Sequence, residues 1–429
     1  MKSVDLKETA KEIFFSALEA VAPYPAVKSE AEKIRSLYKS GEFRRLLVVG
    51  AGKASSEMAR AVEDSLGDLI EAGIVITKYG HIKGRGDSKI KIFEAGHPVP
   101  DENGVRATEE TVRLLKEAAE DTLVVCLLSG GGSSLLVSPS EGITLAEKQA
   151  ITKALLNAGA DINELNAVRK HISRVKGGRL AKTAYPARII SLIVSDVIGD
   201  RLDVIASGPT VADSTTYKDA MDVIEKYSID APRSVLDVIE KGIKGLIPES
   251  PKQEDEAFDM VENLIICSNR KALMRAEQKG EELGFQSEII SDALSGEARE
   301  VGRWLAAQAV SRKQRPLCLI SGGETTVTVK GKGKGGRNME LALSFAMEIE
   351  GKEGITLLQA GTDGTDGPTD AAGAVVDGNT IQKARALGLN PEDYLKNNDS
   401  YNFFKATGEL FITGPTATNV MDIGIILLI

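Results

Sequence analysis

The chain has 429 residues, with 53 Lys and Arg against 62 Asp and Glu, so its formal charge is −9. That length exceeds one ordinary hydrophobic core and predicts two domains, or one domain with a large insertion. An acidic, globular composition with 42% hydrophobic residues argues against a dedicated nucleic-acid binder, although it leaves room for a local basic pocket that takes a small anion.

In chain order, Leu6, Ala10, Ile13, Phe14, Ala17, Leu18 and Val21 recur at helical spacing, and the charges among them break any signal-peptide core. Unbroken apolar runs follow at Leu46–Val49, Ile74–Ile76, Leu123–Leu128, Ile189–Val194, Leu264–Ile266, Leu317–Ile320 and Ile355–Leu358. Helices are expected at Glu102–Glu120, Arg270–Leu283 and Gly296–Val310. Continuous rather than alternating hydrophobicity predicts strands covered on both faces, so the expected class is α/β with mostly parallel sheets. The stretch Gly242–Asp259, crowded with Pro248, Glu249, Ser250, Pro251 and Lys252, has no face to bury and reads as a linker. Domains are therefore expected at 1–242 and 259–429. The apolar run Ile423–Ile429 is far too short for a membrane span of roughly 20 residues and reads as a buried strand. That strand either finishes its own sheet or pairs with a partner, which leaves a homodimer open. Cys126, Cys267 and Cys318 sit in strand-like runs and read as small buried hydrophobes. With no Cys-x-x-Cys spacing and no membrane segment, the simplest location is the cytoplasm.

Four loop motifs could carry chemistry. Gly50-Ala-Gly52-Lys53 follows a strand and opens a helix, where backbone amides, a helix N-terminus and a lysine suit an anion. It is a partial dinucleotide fingerprint, but the next strand ends at Lys78 rather than at an acid that would hold a ribose. Ser129-Gly130-Gly131-Gly132-Ser133-Ser134 follows another strand and would form a nest of donors for phosphate oxygens. Ser321-Gly322-Gly323-Glu324 leads into a strand expected at Thr325–Val329, then a mobile Lys- and Gly-rich loop ending at Arg337-Asn338. There a guanidinium could make bidentate contacts to carboxylate or phosphate. Asp196 and Asp200, and Asp363 and Asp366, end strands among glycines and could serve Mg²⁺, which takes oxygen ligands. Ordinary turns, a solvated hairpin tip and Asx caps would use the same residue types, so each loop keeps that second reading. Together the loops form a parts list for phosphoryl transfer, which rests on positioning and charge neutralisation.

Taken in order, the motifs resemble the type II glycerate kinases, whose C-terminal part contains the MOFRL segment, here about residues 310–420. The likeness runs through Gly50–Lys53, Ser129–Ser134, Asn166-Ala-Val-Arg-Lys170-His171 with Lys176-Gly-Gly178, and Ser195-Asp196. It continues through Ser207-Gly-Pro-Thr210, Ser321–Glu324, Gly335–Glu340, Thr362–Gly367 and Thr413–Asn419. The resemblance implies two Rossmann-like domains with an interdomain cleft, ATP and a divalent metal such as Mg²⁺. It also implies D-glycerate as substrate and 2-phosphoglycerate as product. It matches Lys53 and Arg337 to essential basic positions and Asp196 to a motif aspartate. Lys53 would then neutralise the transferring phosphoryl group, and Arg337 would clamp the substrate carboxylate or that same group. One of Asp196 and Asp200 would accept the hydroxyl proton, while the other, or Asp363 or Asp366, would hold metal. The implied substrate- and phosphate-binding set is Gly50, Gly52, Ser129–Ser134, Lys170, Gly322, Gly323, Glu324 and Asn338. Three rival readings remain: an NAD(P)H-dependent hydroxypyruvate reductase, a label some relatives of this kind carry; a non-catalytic nucleotide or sugar-acid sensor; and a kinase for another short hydroxy acid.

Overall fold

The computed structural model describes residues 5–82 and 88–429. They form two compact units: Pro23–Ile266, and Cys267–Ile429 together with the described part of Met1–Ala22.

The first unit is built on β1 (Arg45–Ala51), β2 (Ile70–Lys78), β3 (Ile90–Ala95), β4 (Thr122–Leu128), β5 (Arg188–Val194) and β6 (Val261–Cys267), in the order β3-β2-β1-β4-β5-β6. The pairings β2–β3, β1–β2, β1–β4 and β4–β5 are parallel. Every residue of β4 is buried, as an unbroken apolar run demands of a strand covered on both faces. The chain turns outward in both directions from the β1/β4 pair, which is the switch point where open α/β sheets gather ligands at the strands' carboxyl ends. A second apolar cluster lies apart from the sheet: Ile151, Leu155, Val168, Tyr217, Ile224, Val235 and Ile239 come from the helices Leu145–Asn157, Ile162–His171, Tyr217–Lys226 and Arg233–Ile243.

The second unit holds β7 (Gln286–Leu294), β8 (Leu317–Gly323), β9 (Ile355–Gly361), β10 (Gly373–Asp377), β11 (Leu410–Phe411) and β12 (Asp422–Leu428), ordered β11-β10-β9-β12-β8-β7. Only β7–β8 pair in parallel; the remaining neighbours are antiparallel, so this sheet is mixed rather than mostly parallel. The apolar C-terminal run is β12, fully buried between β8 and β9, and it completes its own sheet. Burial on both faces gives an antiparallel strand the same unbroken apolar signature as a parallel one, so hydrophobicity alone could not assign direction.

Three further expectations meet a different arrangement. The N-terminal helix Leu6–Ala20 buries Ala10, Ile13, Phe14, Ala17 and Leu18 as its spacing requires, but it belongs to the second unit. The Gly242–Asp259 stretch lies inside the first unit. Its Glu249 takes bonds from His171 and from the Tyr217 amide, and the Pro251 carbonyl accepts the Asp213 amide. Thr325–Val329 is not a strand. Thr326 makes one isolated bridge to Glu297, and the Glu297 carboxylate binds the Thr328 amide and hydroxyl.

Because β12 is enclosed by two strands, Ile426→Ala should cost about 2–5 kcal/mol of unfolding free energy, the usual range for emptying a buried aliphatic site. Urea denaturation measures it; a midpoint unchanged from wild type would contradict the enclosed strand.

Candidate active site

In the first unit, the loops after β1, β4 and β5 converge at the carboxyl edge. Gly50 lies against the Leu127 backbone, and Gly52, at φ 147°, lies directly on Ser129, so a Cβ at either would collide. This approach lets the Lys53 amide donate to the Gly130 carbonyl at 2.8 Å and the Ala54 amide donate to Ser129 Oγ at 3.0 Å. Those donors serve the fold, so Ser129 fastens the two loops together and leaves the Lys53 side chain half-buried at the rim.

Gly130 has the Asp196 carboxylate packed over it, and Gly131, at φ 83°, has the His97 imidazole and the Lys53 side chain over it. A side chain at either position would fill the space these three groups share. Burial raises the affinity of Asp196 for a proton, and the charge of Lys53 partly offsets that rise. Burial, then the charges of Lys53, Lys78 and His81, push the His97 imidazole down to about 4, so it is neutral at pH 7. Gly132 opens the short helix Gly132–Leu135; Ser133 Oγ meets Ser207 Oγ at 2.9 Å, and Ser134 Oγ donates to the Gly131 carbonyl at 3.1 Å. Lys53 and Asp200 make no side-chain hydrogen bond or ion pair among the described residues. Lys170 is buried and engaged with Asp213 at 3.2 Å.

In the second unit, the predicted glycine cradle is the end of a strand. Gly322 makes room for Asn269 and Gly323, at φ 139°, for the Leu294 backbone. The Lys- and Gly-rich loop is anchored by a short polar ladder: Asn398 Oδ1 accepts the Lys330 and Gly331 amides, Asn397 Oδ1 that of Lys332, and Asp399 Oδ1 that of Lys334. Arg337 begins the helix Arg337–Glu348 and grips Asp422 with two bonds, at 2.6 and 2.9 Å, while its remaining nitrogen meets exposed Glu324 at 3.0 Å. Burial disfavours its charge, but Asp422, Glu324 and Asp366 outweigh burial and hold it firmly protonated. Asn338 donates to Asp422 at 3.0 Å and accepts from Gln359 at 2.8 Å.

The strand-end acids of this unit serve the backbone. Asp363 Oδ1 accepts the Thr365 amide at 3.0 Å in an Asx turn. Asp366 accepts the Asn338 and Met339 amides at 3.1 and 2.8 Å, which places a carboxylate on the N-terminus of the Arg337–Glu348 helix. Among the described residues no group of three His, Cys, Asp or Glu side chains could hold a metal ion.

Two residues of this arrangement carry no local sequence signature. His97 has no motif around it, and only the fold sets it against Gly131. Asp422 opens an apolar run whose hydrophobicity gives no sign of its pairing with Arg337.

An α/β chain with three glycine-lined strand-end loops around one lysine and one buried aspartate is the framework of a phosphate-handling enzyme. Residues 9–240 match the family described as a domain of unknown function, DUF4147, and residues 317–422 match the MOFRL family. The D-glycerate 2-kinase of Thermotoga maritima is 49% identical over 424 residues, covering 97% of both chains. The glycerate 2-kinase of Pyrococcus horikoshii is 43% identical over 437 residues, covering 99% of this chain and 97% of that one. A crystal structure of glycerate kinase from Thermotoga maritima superposes with a TM-score of 0.90 at 49% identity, covering 99% of each chain. The chain belongs to the MOFRL-containing glycerate kinase family.

Asp366 supplies a test of the second unit. Its carboxyl is held up at about 7, chiefly by burial and further by Asp422, against the pull of the helix amides and Arg337. A folded value above the unfolded one means that this group's contribution to stability is present at acid pH and is lost as pH rises from about 4 to 7. Melting temperatures across that window should show wild type losing more than Asp366→Asn; parallel curves would contradict the assignment.

Proposed function

We propose that the protein is a D-glycerate 2-kinase, moving the terminal phosphoryl group of ATP to the 2-hydroxyl of D-glycerate to give 2-phosphoglycerate and ADP. The observation that carries this reading is the placement of the Lys53 side chain and the Asp196 carboxylate over adjacent glycines, Gly131 and Gly130, at the switch point of the first sheet. Phosphoryl transfer asks little more of a protein than aligned reactants, a cation on the phosphoryl oxygens and an acceptor for the hydroxyl proton.

Asp196 is the proton acceptor in this scheme. Its raised proton affinity brings it nearer the range in which a carboxylate takes a proton from an attacking hydroxyl, and the facing lysine keeps it ionised. The Lys53 ammonium neutralises charge on the transferring group without having to leave another partner. Neutral His97 lines the same space without adding a third charge. A Mg²⁺ ion carried by nucleotide phosphates needs only one or two protein carboxylates, and it supplies further charge neutralisation there. Asp200, whose carboxylate makes no bond or ion pair among the described residues, fits that demand; Asp363 and Asp366 are engaged by amides. Arg337 is oriented by Asp422, and its outer nitrogen faces only an exposed ion pair with Glu324, an interaction weak enough for a substrate anion to replace. The three unpaired cysteines fit a reducing compartment, the cytoplasm.

The reductase reading lacks its central residue, because β2 ends on Lys78 where a ribose-binding acid would stand. Production of ADP with D-glycerate, and no loss of NADH absorbance with hydroxypyruvate, separates the two.

The first sheet generates a kinetic prediction. For wild type, kcat/KM falls as pH drops through the raised Asp196 value, because the base is active only when ionised. Asp196→Asn should remove that limb and about 10²–10⁴-fold of the rate, the usual worth of a positioned base. Lys53→Ala should remove about 10²–10³-fold, as for other preorganised charge stabilisers. Wild-type turnover in either variant with both substrates saturating would overturn the assigned roles.

A further inference from the structure

One polar group of the first unit is left unused by these roles. It surrounds Ser133, the first hydroxyl after the three glycines. Ser133 Oγ meets Ser207 Oγ, which donates to Asn166 Oδ1 at 3.0 Å. Lys176 Nζ donates to the Ser133 carbonyl at 2.7 Å and reaches the Ala206 carbonyl at 3.5 Å. Asn166 is 3% exposed, and its Nδ2, with two hydrogens to give, has no partner. A buried amide donor left open costs free energy unless something that accepts hydrogen bonds occupies the site.

The charge balance points the same way. Arg169 lies three residues after Asn166 on the helix Ile162–His171, and so on the same side of it. Arg169 is partly exposed as a residue, and its guanidinium has no hydrogen-bond or ionic partner among the described residues. Lys176 and Lys148 are buried beside it and bond only to carbonyls: Ser133 and Ala206 for the first, Ile172 and Arg169 for the second. Among the described residues no carboxylate pairs with any of the three. Asp213, buried in the same unit, is engaged by Lys170 and Thr215. Burial lowers Arg169 only to about 10, so it stays charged at neutral pH, while burial and then its neighbour's charge lower both lysines well below their ordinary range. The turn that presents Ser207 is itself strained: Ala206 and Ser207, neither a glycine, sit at φ 51° and 61°. Such conformations persist where surrounding structure holds them for a purpose.

We infer that Arg169, Asn166 and Ser133 form an oxyanion subsite, in which the Arg169 guanidinium and the Asn166 amide bind one carboxylate or phosphate group of a substrate. This deepens the kinase reading and rests on it: D-glycerate would bring a carboxylate, and ATP a phosphate. Lys176 holds the Ser133 and Ala206 carbonyls away from the incoming anion, and Lys148 holds those of Ile172 and Arg169. An arginine fork with a neighbouring amide donor matches two oxygens of one anion, which a single lysine cannot do.

The test uses the full-length protein with Arg169→Gln and Asn166→Asp. The second variant keeps the acceptor for Ser207 but replaces the open donor with a negative charge. KM for D-glycerate and for ATP are measured separately, with melting temperatures as a control. Loss of a charge-assisted contact should raise one KM by about 10- to 150-fold in both variants while the other is little changed. A rise for D-glycerate assigns the carboxylate; a rise for ATP assigns the phosphate. Unchanged KM values for both, or a fall in kcat that only tracks a lowered melting temperature, would overturn the subsite. Calorimetry with inorganic phosphate separates this inference from the kinase reading. If wild type fails to phosphorylate glycerate yet binds phosphate, and Arg169→Gln does not, the kinase reading falls and the subsite stands. If phosphate binds both equally and neither KM changes, the subsite falls.

Discussion

Glycine 52 lies on Ser129 with no room for a side chain between them, and much of the active edge depends on that contact. Parallel pairing sets β1 and β4 side by side, but pairing alone would let their loops diverge above the sheet. The approach of Gly52 to Ser129 ties them together and turns the Lys53 amide onto the Gly130 carbonyl. Gly130 and Gly131 then pass close under Asp196 and His97. Each glycine marks a place where another chain segment or a functional side chain occupies the volume a Cβ would take. Glycine richness here is a packing requirement first, and its chemical consequence is that a cation, a carboxylate and a neutral imidazole share one small space.

The two units treat positive charge in opposite ways. In the second, Arg337 is gripped by Asp422, flanked by Glu324 and backed by Asp366, so its charge is oriented and largely neutralised. In the first, Lys53, Arg169, Lys176 and Lys148 have no carboxylate bonded to them among the described residues. Burying cations without acids is unfavourable in isolation, which is why the lysines give up part of their proton affinity. An anionic substrate would reverse that penalty, so the proposed kinase reading gives such a site a reason to leave its cations unpaired.

Much of this was legible in the sequence because strand-end loops carry their signature locally: an apolar run, then glycines, then a charged residue. Gly50–Lys53, Ser129–Ser134 and Asp196 were found that way, and the structure sets them along one edge. What was not legible depends on contacts distant in the chain. Lys170 and Arg169 are adjacent and chemically alike, and only Asp213, far along the chain, makes one an internal partner and leaves the other open. Gly322 and Gly323 carry the same local signature as the Ser129 loop, yet Asn269 and Leu294 make them strand glycines. Asp366 reads as a metal ligand from the sequence, and only the fold shows the helix Arg337–Glu348 starting on it. Strand direction in the second sheet and the transfer of the N-terminal helix to that unit follow from topology, which hydrophobic pattern does not encode.

The most direct measurement of the central claim is phosphorus NMR of the protein with ATP, Mg²⁺ and D-glycerate. The account predicts a new monoester resonance coupled to the C2 proton, that of 2-phosphoglycerate, with ADP formed in equal amount. The 3-phosphate in its place would keep a kinase but contradict the regiochemistry. ATP left intact, with no phosphoester formed, would contradict the assignment of this chain as a glycerate kinase.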